Sequence, residues 1–326
     1  MQIVNLKNPE MPFSLSGGCG LCLGHFDGVH RGHRALINEL KLLNTKRKTP
    51  LPLGAMCFTA PPAATLMKKP TPQITTLPQK LELLKKAGLH FAVLYDFPEI
   101  KDYSPERFID EILVRDCNCR MVVCGFNYSF GAKGAGSPAD LQAYFVDRGE
   151  GRALSVVPPV KDGVRTVSST LIRSLLESGH PDDANRLMGH PFTLIGTVKN
   201  GRHVGRMMDT PTANLTFPEG ILIPAHGVYV STVRIGKNTY PAISNVGTRP
   251  TFEDGEEVNC ETFLFDFHGD LYEKTLHVTF LKFLRPERKF PSMEALKKQI
   301  EQDIRQAKVY TTTLFCDSVA DKLEQG

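Results

Sequence analysis

The sequence predicts an α/β domain followed by a β domain: a Rossmann-like parallel sheet, then a compact antiparallel barrel with one covering helix. Three observations predict it. Short apolar runs alternate with helical patterns through the first half, as βαβ units do. From about Arg186 to His190 onward, strand-like runs follow one another, broken by glycine, proline and asparagine, with one clear helix near the end. The length of 326 residues suits about two domains. The domains are expected at 1–185 and 186–326.

In the first half, Gly20 to Gly24 reads as a strand and Arg31 to Leu43 as a helix with Leu36, Leu40 and Leu43 on one face. Pro52 to Phe58 is strand-like. Leu77, Leu81 and Leu84 mark a helix that Gly88 stops. Phe91 to Tyr95 is a strand. Ser104-Pro105 opens the next helix, with a hydroxyl at the cap and proline at the first turn. Met121 to Cys124 and Leu154 to Val157 are strands, and Ser168 to Leu176 is a helix. In the second half, strands are expected at Phe192 to Val198, Gly227 to Arg234, Tyr240 to Asn245, Val258 to Phe265 and Leu276 to Phe283. A helix from Met293 to Ala307 carries Leu296, Ile300 and Ile304 at four-residue spacing.

Composition excludes several classes. Lys plus Arg is 39 and Asp plus Glu 35, a net charge of +4, too balanced for a protein that mainly neutralises nucleic acid. No apolar run approaches the roughly 18 residues a bilayer span needs, and the first residues lack the plan of a signal peptide. A cytoplasmic protein with small-molecule substrates, without nucleic acid or membrane, is the expectation. Residues 1–185 hold 22 basic and 18 acidic side chains and 186–326 hold 17 of each, so the positive excess lies in the first half, where it suits a phosphate-rich ligand. Of the eight cysteines, Cys19 and Cys22 form a CxxC. A redox pair usually opens a helix, whereas Cys22 lies within a strand. A zinc site would need Cys117 and Cys119, whose C-x-C spacing is a poor zinc knuckle. Small buried thiols are expected.

The strongest motif is Gly24-His25-Phe26-Asp27-Gly28-Val29-His30-Arg31-Gly32-His33, between a strand and a helix. Gly28 and Gly32 allow close backbone approach, and the free N–H groups of the helix start form an anion site. His30 and His33 project to one side there. Two imidazoles and a helix N-terminus suit the charge that develops on a triphosphate attacked at its α-phosphorus. A lone histidine would read as a cap or a packed ring; two bracketing a glycine after strand and turn read as chemistry. Further on, Val167-Ser168-Ser169-Thr170-Leu171-Ile172-Arg173 places hydroxyls at a helix start, with an arginine suited to a leaving pyrophosphate.

These residues resemble the HxGH nucleotidyltransferases, and the longer strings resemble the bacterial bifunctional riboflavin kinase/FAD synthetase family. Val123 to Gly131 is similar to that family's strand and G-x-N-F-x-F-G loop, with Asn127 at the asparagine, and Ser168 to Arg173 to its S-S-T-x-I-R segment. In the second half, Gly205 to Leu215 contains Pro211-Thr212-Ala213-Asn214, which resembles the riboflavin kinase P-T-A-N motif. Gly227 to Tyr229, Ala242 to Phe252, Glu261 to Phe267, Asp270 to Tyr272 and Phe283 to Phe290 follow in the family's order. The resemblance runs from about Gly18 to Ala307. It implies a six-stranded kinase barrel, phosphorylation of riboflavin to FMN by the C-terminal domain, and adenylylation of FMN to FAD by the N-terminal domain, both from ATP with Mg²⁺.

The resemblance also implies site residues. His30, His33 and Arg173 serve adenylyl transfer, with Gly24, Phe26, Asp27, Gly28, Gly32, Asn127, Ser168, Ser169 and Thr170 around the nucleotide. Glu261 is the kinase base. Gly205, Pro211, Thr212 and Asn214 meet the kinase nucleotide, Thr212 and Asn214 meet the metal, and Asn245, Thr248 and Arg285 meet flavin; for Arg285 a solvated surface charge is a second reading. The sequence departs from the pattern in three places. Asp209 and Thr210 replace a glycine and an aromatic or aliphatic residue before P-T-A-N, Phe58 to Pro62 lacks the histidine of F-D-P-H-P, and His25 stands where asparagine is common. Two other readings stay open: one activity retained, with the kinase the more exposed to loss, or a flavin-binding regulator without turnover.

Overall fold

Strand β2 (Cys19–Leu23) is buried at every position, which requires a layer of side chains on each of its faces. The computed structural model describes residues 1–4, 17–60, 71–148, 151–199, 212–250 and 256–324, with the side chains of 249–250, 256–257 and 315–324 left undescribed. Within it, β2 lies inside a parallel sheet with β1 (Gln2–Val4), β3 (Leu53–Phe58), β4 (Phe91–Tyr95), β5 (Cys119–Gly125) and β6 (Ala153–Val157), in the order β1-β4-β3-β2-β5-β6. Cys19, Leu21 and Leu23 join the core layer of Phe108, Ile112 and Phe145. Cys22 faces the other layer with Leu36, Ile37 and Leu40 of the Arg31–Thr45 helix.

The Leu77–Lys86 helix is closed by a capping box between Thr76 and Gln79. It buries Lys80 and Leu84, so the buried face is turned slightly from the expected Leu77, Leu81, Leu84 line. The helix opened by Ser104, whose Oγ accepts from the Arg107 N–H, is α-helical only over Pro105–Arg107 and continues as a π-helical stretch, Phe108–Asp116. Strand β1 and the short antiparallel pair β7 (Lys161–Asp162) and β8 (Arg165–Thr166) are additions to the expected elements, with two or three residues each, too few for a periodic signal.

The second half forms a closed antiparallel barrel from β9 (Phe192–Lys199), β10 (Ala213–Thr216), β11 (Gly227–Ile235), β12 (Asn238–Pro250), β13 (Glu256–Leu264) and β14 (Thr275–Arg285), ordered β10-β13-β12-β11-β14-β9. Strand β11 is buried along nearly its whole length because one face lines the barrel and the other lies under the last helix, where Val230 meets Ala307. Inside, Ser231, Ser244 and Thr262 form a buried hydroxyl relay at 2.8 Å per link, so the polar atoms at the centre satisfy one another. Strand β10 has four residues and no independent periodicity; the resemblance implied a sixth strand without placing it. A helix at Pro181–Met188 is a further addition, and the last helix runs from Met293 to Glu324 rather than stopping at Ala307. The chain divides into two compact units, Met1–Ser169 and Thr170–Gly326.

Candidate functional sites

In the first unit the chain leaves β2 at Gly24 and makes an irregular turn. Phe26 at φ 52° and Val29 at φ 38° hold left-handed conformations that cost side chains energy, and Gly28 at φ 77° holds one only glycine adopts freely. What over-determines the turn is Asp27. Its buried carboxylate accepts the Ile74 N–H at 3.0 Å, the Thr75 N–H at 3.2 Å and the Thr75 hydroxyl at 3.3 Å, while Thr75 Oγ1 accepts the Gly28 N–H at 3.1 Å. Ser169 Oγ donates to the Asp27 carbonyl at 2.9 Å. Asp27 and Ser169 therefore shape the loop as well as bordering it.

His30 caps the Arg31–Thr45 helix, its Nδ1 accepting the His33 N–H at 3.3 Å. Because Nδ1 accepts, a neutral His30 carries its proton on Nε2, which remains a donor. The rings of His30 and His33 stack with centroids 3.7 Å apart. A Cβ on Gly32 would come within 3.0 Å of the His30 ring, so the glycine between the histidines makes room for the cap. Burial, then the charges of His30, Lys80 and His25, hold His33 well below its ordinary 6.5, and its Nδ1 is buried without a hydrogen-bond partner. Two imidazoles this close cannot both be cations cheaply.

Asn127 is exposed on the turn after β5, the neighbour of β2. A cavity of about 530 Å³ opens beside Gly24 and His25, with walls from Phe58, Phe97, Tyr128 and Phe130 and two cations, Lys101 and Lys133. Ser168 is half-buried before the Ser169–Glu177 helix, and on it Thr170 is exposed and Arg173 half-buried. Of the altered F-D-P-H-P segment, Thr59 donates from its backbone to Tyr95 O at 3.0 Å, whereas Pro61 and Pro62 lie outside the described residues. The seven described cysteines are free and buried. Burial raises Cys22, and pushes Cys57 and Cys124 up to about 11, so they behave as packing thiols.

The second unit has its own cavity of about 390 Å³, lined by Thr212, Asn245, Glu261 and Arg285, with apolar walls from Phe263 and from Leu296, Ile300 and Ile304 of the last helix. Register explains the convergence. Glu261 on β13 is paired with Asn214 on β10 and with Asn245 on β12, so three polar side chains sit in one row across three strands. Asn259 donates to Asn214 Oδ1 at 3.4 Å and to Glu261 Oε1 at 3.3 Å. Thr248 is half-buried further along β12. Gly205, Asp209, Thr210, Pro211, Thr251 and Phe252 lie outside the described residues.

Arg285 is not a solvated charge. Its Nε and Nη2 donate to Asp303 Oδ2 at 2.9 and 2.8 Å, Gln299 donates to Asp303 Oδ1 at 2.7 Å, and Asp303 is 3% exposed. The guanidinium thus pins the last helix over the cavity. Sequence reasoning also passed over Lys80, Glu287 and Asp303, since an isolated lysine, glutamate or aspartate carries no pattern. Among the described residues no group of three His, Cys, Asp or Glu could hold a metal. The hydroxyl of Thr212 and the amide oxygen of Asn214 are hard donors of the kind Mg²⁺ takes alongside phosphate oxygens and water, so this donor set fits a magnesium–nucleotide rather than a bare ion.

A helix start capped by paired histidines in one unit and a carboxylate-bearing barrel cavity in the other fit a two-domain, nucleotide-dependent transferase. Residues 14–171 match the FAD synthetase family model and residues 188–311 the riboflavin kinase model. The chain is 33% identical over 297 residues to the bifunctional riboflavin kinase/FMN adenylyltransferase of Listeria monocytogenes, covering 90% of this chain and 93% of that protein. It is 34% identical over 289 residues to the Escherichia coli (strain K12) protein of the same name, covering 88% and 90%. A crystal structure from Streptococcus pneumoniae, described as a macrolide-efflux protein, matches with a TM-score of 0.84 and 30% identity, covering 94% of this chain and 99% of that one. Among the described residues of this chain no helix is long and apolar enough to cross a membrane.

The chain belongs to the bifunctional riboflavin kinase/FMN adenylyltransferase family. Its C-terminal domain phosphorylates riboflavin to FMN with ATP, and its N-terminal domain adenylylates FMN to FAD with release of pyrophosphate.

Proposed function

We propose that Glu261 is the base of the kinase reaction and that His30 and His33 carry the adenylyl transfer. The observation that carries the kinase assignment is the cross-strand row Asn214–Glu261–Asn245, of which Glu261 and Asn245 line one cavity together with Thr212. Glu261 takes the proton of the riboflavin 5′-hydroxyl as that oxygen attacks the γ-phosphorus of ATP. Thr212 and Asn214 would hold Mg²⁺ with the nucleotide, and the ion supplies charge neutralisation of the phosphates. The apolar wall of the last helix excludes water, and Asn245, which lines the cavity, meets the flavin, with Thr248 further along the same strand. Arg285 acts on flavin by holding that wall against the barrel.

In the N-terminal domain, a phosphate oxygen of FMN attacks the α-phosphorus of ATP, and the P–O bond to pyrophosphate breaks. His30 donates from Nε2, and His33, held well below its ordinary value by its surroundings, offers a hydrogen bond as a neutral ring. Gly24, Phe26, Gly28 and Gly32 shape the phosphate loop, and Asp27 latches it. Asn127, Ser168, Ser169 and Thr170 contact nucleotide or phosphate, and Arg173 receives the leaving pyrophosphate. The functional border is taken at 185/186, so that the Ser169–Glu177 helix serves adenylyl transfer. Free thiols throughout the described cysteines and dependence on ATP favour a cytoplasmic setting.

The test is chromatographic: purified protein with ATP, Mg²⁺ and either riboflavin or FMN, with flavins separated over time. The expected result is FMN appearing first and FAD following. Glu261→Gln should lower FMN formation at least ~100-fold and leave FMN-to-FAD conversion intact. His30→Asn should do the reverse. Conversion of FMN alone by the unaltered protein would mean a failed kinase and point to Asp209 and Thr210. Loss of neither activity in the variants would overturn the residue assignments.

A further inference from the structure

We propose that Glu287 is a specificity-determining residue of the kinase, accepting hydrogen bonds from the inner hydroxyls of the flavin's polyol chain. The inference rests on the cavity of the second unit being the riboflavin pocket.

Glu287 follows β14 and lines that cavity. One carboxylate oxygen, Oε1, accepts from Asn245 Nδ2 at 2.9 Å. A carboxylate only accepts, so this contact also fixes which way the Asn245 amide faces. Among the described residues Glu287 has no cationic partner and no second hydrogen bond, so Oε2 is left as a free acceptor beside the pocket. The backbone opposite is built for it. A Cβ on Gly247 of β12 would come 2.3 Å from Glu287 Oε1 and 2.8 Å from Oε2. Gly247 has no left-handed φ to explain it, which leaves the space taken by the carboxylate as its reason.

Asn245 links this carboxylate to the chemistry. It is the cross-strand neighbour of Glu261, so two carboxylates flank one amide along the cavity. Riboflavin is a tricycle bearing a chain of alcohols, and only the terminal hydroxyl reacts. A base at Glu261 engages that hydroxyl. An acceptor set off by one residue's width meets a hydroxyl nearer the ring and holds the chain extended, with its end at the base. A flavin without the polyol has no donor for it.

The experiment uses the full chain and riboflavin phosphorylation, with lumiflavin, which has the ring system but no polyol, as a competitive inhibitor. Glu287→Gln is expected to raise the KM for riboflavin by about tenfold, the order for one hydrogen bond to a charged acceptor. The inhibition constant of lumiflavin and the conversion of FMN to FAD should stay unchanged. Gly247→Ala, which displaces the carboxylate without removing it, should raise KM in the same direction, and the double variant should add little to the larger single effect. An unchanged KM, or a lumiflavin constant that rises with it, would overturn the proposal. So would a raised Mg²⁺ requirement at unchanged riboflavin KM, which would make Glu287 part of the nucleotide site. If lumiflavin does not compete with riboflavin in the unaltered protein and Glu261→Gln still phosphorylates, the pocket assignment itself fails, which is a distinct result.

Discussion

At the scale of single residues, the adenylyltransferase site depends on charge that is withheld. His33 is held well below its ordinary value chiefly by burial, and further by the positive charge of Lys80 and by the neighbouring imidazoles of His30 and His25, which sets a pH dependence. Below its ordinary value of 6.5, an unfolded chain binds a proton at His33 that the folded chain refuses. Stability therefore falls as pH drops below that value toward the lowered folded value, and His33 adds no slope above it. His33→Gln should flatten part of the acid-side loss, read as a smaller difference in denaturation midpoint between about pH 7.5 and about pH 5.5. An acid loss as steep as in the unaltered protein would place the proton elsewhere. If His33 serves adenylyl transfer as proposed, the same substitution should also lower FMN-to-FAD turnover while riboflavin phosphorylation persists.

At the scale of elements, the last helix decides whether the barrel has a pocket at all. Leu296, Ile300 and Ile304 form a wall only if the helix is held in register, and the clamp is Arg285 with Asp303. The pair is well enclosed, with side chains 17% and 4% exposed. Asp303→Ala leaves the guanidinium enclosed without its acceptor, at a cost of about 3 kcal/mol. The expected readout is a lowered thermal midpoint of the kinase unit together with a raised KM for riboflavin, since the wall loosens before the chemistry is touched. A raised KM without destabilisation would mean that Asp303 meets substrate directly. The phosphate loop of the other unit follows the same logic with shorter parts, since Asp27 ties the strained turn to Ile74 and Thr75 through bonds to backbone and hydroxyl.

At the scale of the whole molecule, two activities are carried by two compact units, each with its own cavity and its own polar cluster. The product of one is a substrate of the other. If FMN passes through solution, Glu261→Gln and His30→Asn proteins mixed in equal amounts should convert riboflavin to FAD, although neither variant alone makes it at an appreciable rate. The rate should rise with the concentration of the His30→Asn protein, which supplies the FMN. Failure of the mixture, with each variant retaining its own half-reaction, would show that transfer requires both sites in one chain.

Local pattern along the chain is enough for the two architectures and the order of the motifs. Alternating runs such as Phe91 to Tyr95 and Arg31 to Leu43 declare their elements through periodicity, which is a local property. His30, Gly32 and His33 were legible because their spacing along one helix start is already their spacing in space. Other features are products of long-range pairing. Strand β10 is too short to show a period and exists because β9 and β13 offer it partners. Glu261, Asn214 and Asn245 become one row only through barrel register. Asp303 and Glu287 look like ordinary surface acids until the fold places Arg285 against one and Asn245 and Gly247 against the other. Tertiary structure alone decided which carboxylates are clamps and which face a pocket, because a side chain's role there is set by partners that chain closure brings together across many residues.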